Sequence, residues 1–180
     1  INELADDIEK FGFGSTVCVD CISEDRGLVP RPQWKMNNLN FGWFKGDTVN
    51  IGVGQGYISA TPIQLAHYTA ALANKGTKKP LFLNNSLIGK IPSSDIELEN
   101  FNQRDWVLLH KAMESVVESD YGTARRIRDQ KDFLIAAKTG TGEIISLDSR
   151  EEYERIREDQ GLRDHAIIVA FAPAEKPKYA

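Results

Sequence analysis

The chain has 180 residues, enough for one domain of ordinary size, with 41% hydrophobic and 27% charged residues. Its net charge of −4, from 22 basic against 26 acidic residues, comes without a basic block and argues against nucleic acid as a partner. No apolar run approaches the roughly 20 residues of a membrane helix, and no signal peptide is visible. The chain opens without a methionine, straight into a helical pattern, as expected of a piece of a longer protein.

Ile1, Leu4, Ala5 and Ile8 fall at helical spacing, and FGFG at 11–14 ends that helix. STVCVD at 15–20 alternates small and apolar residues and predicts a short strand. Cys18 and Cys21 stand in C-x-x-C spacing, which suits a redox pair, half of a zinc site, or two ordinary strand residues. A zinc site needs two more ligands, and His67, His110 and His165 are scattered. A redox pair opens a helix after a strand, whereas these flanks are strand-like and then charged. The expectation is two unbridged strand cysteines, with no metal and no cofactor. Residues 23–50 are rich in turn formers, Pro30, Pro32, Gly42 and Gly46, and carry Trp34, Phe41, Trp43 and Phe44. They predict a loop packed on the body.

GVGQG at 52–56 invites a nucleotide reading, but Tyr57 stands where a dinucleotide fingerprint needs its third glycine. A phosphate-binding loop needs Gly-Lys before Ser or Thr, and Gly89-Lys90 is followed by Ile91. The stretch reads as a tight turn. It leads to the best-punctuated helix of the chain: Thr61 as N-cap, Pro62 in first position, Gln64 completing a capping box, and Gly76 as the stop. Residues 74–92 read as a connection with a short strand at LFL, 81–83. A second helix is predicted over 103–118, with Trp106, Leu109, Ala112, Met113 and Val116 on one face.

SDYGTARRI at 119–127 breaks this helix and starts a further short turn. DFLIAAKTGTGEII, from residue 132, lacks helical periodicity and reads as a strand. SREEYERIREDQG, from residue 149, is a short solvated helix or an excursion. HAIIVAFAP, from residue 165, reads as a buried central strand. The mixture predicts α+β layers.

AAKTGTG at 136–142 is the stretch with chemical content. Gly140 would let a ligand backbone approach the strand, and Thr139 and Thr141 share one strand face. Two hydroxyls beside the Lys138 ammonium suit a carboxylate, and the Thr141 N–H could donate to a developing oxyanion. The alternative is a surface strand with a solvated lysine.

K-T-G is also a signature of penicillin-binding proteins and serine β-lactamases. With GDTVNIGVGQGYISATPIQLA, SDYGTA, AAKTGT and AFAP in that order, the whole chain resembles the transpeptidase domain of class B penicillin-binding proteins. FGFGSTVCVD, WKMNNLNFGWFKGDT and LRDHAIIVAFAP resemble the elongation-type branch, penicillin-binding protein 2, of Gram-negative bacteria.

The resemblance implies a partial transpeptidase domain over 1–180. Its fold would be the penicillin-binding protein and serine β-lactamase type, an antiparallel sheet flanked by helices, incomplete at both ends. It implies peptidoglycan D,D-transpeptidation, with stem peptides as substrates and β-lactams as inhibitors. A SEDS-family glycan polymerase would be a partner, at the periplasmic face of the inner membrane. Lys138, Thr139, Gly140 and Thr141 match the family's third motif. Lys138 would act towards a catalytic serine, Thr139 and Thr141 would bind the terminal carboxylate, and Thr141 N–H would be an oxyanion donor. The family's nucleophile lies in S-x-x-K, with S-x-N as second motif; neither pattern occurs in this sequence. Other readings within the same resemblance are a β-lactamase or β-lactam sensor domain, and a non-catalytic binding segment.

Overall fold

In a computed structural model of the chain, residues 1–91, 95–99, 101–130, 132–142 and 165–180 are described. The charged connection expected from residue 149 lies outside them. Five helices are described: α1 (Asn2–Lys10), α2 (Pro32–Leu39), α3 (Lys45–Gly52), α4 (Pro62–Ala73) and α5 (Gln103–Glu118). The strands are β1 (Thr77–Lys78), β2 (Ile96–Glu97), β3 (Ala136–Gly142) and β4 (His165–Phe171). β1 pairs antiparallel with β2, and β3 with β4, so that Lys138 faces Val169 and Gly142 faces His165. This is an α+β arrangement, with α5 packed on β3 and α4 on β4.

Local chemistry explains the two central helices. The Thr61 hydroxyl accepts from the Gln64 N–H, and the Gln64 Oε1 accepts from the Thr61 N–H at 2.9 Å. Gln64 is also 1% exposed, and its Nε2 donates to the Ser15 and Arg26 carbonyls. One buried amide thus caps α4 and ties two upstream loops to it. α5 is capped by Asn102, whose side chain accepts from the Arg104 and Asp105 N–H groups. Its buried face is Trp106, His110, Met113 and Val117, rotated from the predicted Leu109, Ala112 and Val116. The His110 Nε2–H donates to the Leu72 carbonyl at 2.7 Å, so a polar residue holds a core position. Leu72, Ala73, Leu98, Trp106, Met113, Ala136, Phe171 and Ala174 form the core. Each fully buried large side chain there contributes roughly 1.5–3 kcal/mol.

Several expectations are corrected. The stretch 23–50 is not one packed loop but contains α2 and α3, and Phe41 and Phe44 are 64% and 61% exposed. Lys35, buried on α2, pairs with Asp47 of α3 at 2.6 Å and lies 4.6 Å from the Phe44 ring centre. Burial works to raise the Asp47 pKa, but the Lys35 hydrogen bond, the Phe44 N–H and the Lys35 charge together hold it below the ordinary value. Removing one partner of such a buried pair typically costs about 3–5 kcal/mol.

STVCVD forms no strand. The Val17 and Cys18 N–H groups donate to the Glu24 carboxylate, which takes the place of a strand neighbour, and a single bridge joins Cys18 to Leu81. LFL contributes only that bridge. β4 is not buried throughout: Ile168 is 53% exposed, since among the described residues its ladder partner is β3 alone.

The two cysteines are bridged, against expectation. Their sulfurs lie 2.00 Å apart and their Cα atoms 5.5 Å apart. The bridge is reached because residues 18–21 turn instead of extending. The Asp20 carboxylate accepts from the Leu83 and Asn84 N–H groups, which lowers its pKa and holds the turn against residues 81–84.

Candidate functional site

β3 runs from the core to the surface. Ala136 and Ala137 are fully buried, whereas Lys138, Gly140 and Thr141 are exposed and Thr139 is half-buried. Strand alternation puts Thr139 and Thr141 on the face of Ala137, and Lys138 on the face of Ala136. The Lys138 ammonium turns along the strand and donates to the Thr139 carbonyl at 2.6 Å. Among the described residues nothing lies within 4 Å of where a Gly140 Cβ would be, so this glycine borders open space.

In an antiparallel ladder, alternate residues direct both backbone groups towards the neighbouring strand or away from it. The Thr139 carbonyl accepts from Lys138 and the Thr141 carbonyl from Gln55 Nε2, at 2.9 Å. Thr139 and Thr141, two apart on β3, direct their backbone groups to the same side, so the Thr141 N–H lies on the same edge as its carbonyl, where among the described residues no further strand pairs. That edge offers N–H donors, hydroxyls and a lysine: groups that bind a carboxylate and stabilise an oxyanion.

Two further stretches reach this edge. Gly122 is confined by its surroundings, since a Cβ there would lie 2.3 Å from the Val116 carbonyl oxygen. The chain can therefore fold back on the end of α5, and the Thr123 hydroxyl meets the Thr139 hydroxyl at 2.7 Å. Gln55 arrives from the turn at 52–56, whose sequence reads as a tight turn and as part of a stretch that carries the family resemblance. Neither Thr123 nor Gln55 was singled out as a site residue. Their sequence signal is that GVGQG and SDYGTA precede KTGT in the series of stretches that carries the family resemblance.

The sequence profile of the penicillin binding protein transpeptidase domain matches residues 1–180. The chain belongs to this family. It is 38% identical to the peptidoglycan D,D-transpeptidase MrdA of Acinetobacter baumannii, covering 100% of this chain and 27% of that protein. It is 32% identical to MrdA of Escherichia coli strain K12, covering 100% of the chain and 29% of that protein. Among solved structures, Pseudomonas aeruginosa PBP2 in complex with WCK 5153 superposes with a TM-score of 0.81 at 36% identity. That match covers 99% of this chain and 37% of the other. The complex of PBP2 and MreC from Helicobacter pylori gives a TM-score of 0.80 at 31% identity, covering 99% of this chain and 30% of the other. The fold is thus the penicillin-binding transpeptidase fold, of PBP2/MrdA type, and the chain spans under a third of the curated relatives' length.

Proposed function

We propose that this chain is part of a peptidoglycan D,D-transpeptidase and supplies the KTGT wall of its substrate cleft. The observation that carries the reading is β3 in a chain of this family: Lys138, Gly140 and Thr141 are exposed on it, and among the described residues no atom lies within 4 Å of a Gly140 Cβ. In this reading a serine outside residues 1–180 attacks the carbonyl between the last two D-alanines of a stem peptide. The carbonyl oxygen gains negative charge and receives the Thr141 N–H, a kind of contact worth about 2.7–4 kcal/mol in the transition state. The terminal carboxylate binds the Thr139 and Thr141 hydroxyls, and Lys138 makes the cleft positive. The C–N bond breaks, D-alanine leaves with the proton, and the acyl group passes to the amine of a second peptide. A β-lactam enters the same path and remains as the acyl group.

The site of action follows from the substrate: the periplasmic face of the inner membrane, with a SEDS-family polymerase supplying glycan. The Helicobacter pylori relative occurs in complex with MreC, and we extend that partner class to the complete protein here. Labelling with a fluorescent penicillin tests the reading. The complete protein should take up one label per molecule, and residues 1–180 alone should take up none. Stoichiometric labelling of 1–180 would place the nucleophile inside this chain. Rapid steady hydrolysis of a reporter cephalosporin would favour a β-lactamase instead.

A further inference from the structure

Gln55 lies in the turn after α3, 86 residues before the strand residue it touches. Gly54 and Gly56 on either side have φ of 79° and 77°, the left-handed region that glycine enters without penalty. Among the described residues nothing lies within 4 Å of a Gly54 Cβ, so the requirement there is the bend and not the space. The bend isolates Gln55: residues 53, 54, 56 and 57 are exposed, while Gln55 is half-buried and turned towards β3. Its own N–H donates to the Asn50 carbonyl at 2.8 Å, anchoring the turn to the end of α3. That helix is in turn tied to α2 by the buried Lys35–Asp47 pair. A firm base thus presents one amide donor to one carbonyl at the outer edge of β3.

Such an exposed hydrogen bond adds little to stability, because water can replace it. Its effect is geometric. The Thr141 carbonyl it holds points to the same edge as the Thr141 N–H. A misplacement of about 1 Å at a reacting centre can cost 100-fold in rate. Resting on the transpeptidase reading above, we infer that Gln55 is a positioning residue for Thr141, keeping its N–H aimed at the developing oxyanion.

The test measures acylation of the complete protein by a fluorescent penicillin, separating the rate constant at saturation from the dissociation constant of the initial complex. Gln55→Met keeps the volume and removes the donor; Gln55→Lys restores a donor; Gln55→Glu places an acceptor against the carbonyl. Gln55→Met should slow the saturated rate about tenfold or more and shift the dissociation constant less than about twofold. Gln55→Lys should recover most of the rate, and Gln55→Glu should be as slow as Gln55→Met or slower. Wild-type rates in Gln55→Met, or equal rates in Gln55→Lys and Gln55→Met, would overturn the inference. If Gln55→Met does not fold, the Lys and Glu variants at matched melting temperature decide: a faster Lys variant supports the inference, and equal rates overturn it. Lys138→Ala serves as the control for the underlying reading. Loss of acylation there with Gln55→Met unaffected overturns the positioning role alone. No labelling of the wild type, or no effect of Lys138→Ala, overturns both.

Discussion

At the scale of residues, the site depends on pairs of polar groups whose directions are set by neighbours. The Thr123 and Thr139 hydroxyls share one hydrogen bond, in which either can be the donor. If Thr123 donates, the Thr139 proton is free for a carboxylate, and the pair acts as a directed donor. Thr123→Val removes that direction and leaves the shape. The dissociation constant of a penicillin for the complete protein should then rise about two- to tenfold, the size of one modest hydrogen bond. The saturated acylation rate should change less. An unaltered dissociation constant would show that Thr139 needs no such partner. Buried charge follows the same logic at Lys35, which is 3% exposed and pairs directly with Asp47.

At the scale of elements, α4 carries a titration that stability measurements can read. The His67 Nε2 donates to the Lys79 carbonyl at 3.1 Å, which leaves Nδ1 buried and, among the described residues, without a partner. Burial pulls the imidazole pKa below its ordinary value, and the Lys78 charge adds to this, while the Lys79 carbonyl and the Glu24 charge oppose it. In the unfolded chain the same imidazole protonates near pH 6.5. Its contribution to stability is therefore complete above that pH, and is lost as pH falls below it through the depressed folded value. Thermal melts between pH 7.5 and 5.5 should show a larger fall for the native protein than for His67→Phe. Equal falls would mean that His67 does not titrate differently on folding.

The elements were legible where their signals are local. Thr61, Pro62 and Gln64 fixed the start of α4, and the boundaries of α5 were recovered because an apolar period runs its whole length. α2 and α3 were obscured by Pro32, Gly42 and Gly46, which mark turns in sequence; here Pro32 begins a helix and Gly46 lies inside one. The short strands depend on partners distant in the chain: Thr77 faces Glu97, a pairing that composition does not encode. The cysteine bridge is not legible in the sequence for a related reason. A straight strand keeps residues 18 and 21 apart, and the turn that joins them is held by Asp20 bonding to residues 83 and 84.

At the scale of the whole molecule, the KTGT strand could be recognised from sequence, but its supports could not. Three stretches meet at the edge of β3: the turn bearing Gln55, the turn bearing Thr123, and the strand itself. Each is bland alone, and only the fold brings them together. The most direct measurement is the acylation rate of the complete protein by a fluorescent penicillin, native against Lys138→Ala. Loss of the ammonium should lower the rate by at least about 100-fold, as for removal of one transition-state contact, with an unchanged melting temperature. A folded Lys138→Ala protein that acylates at the native rate would contradict the account.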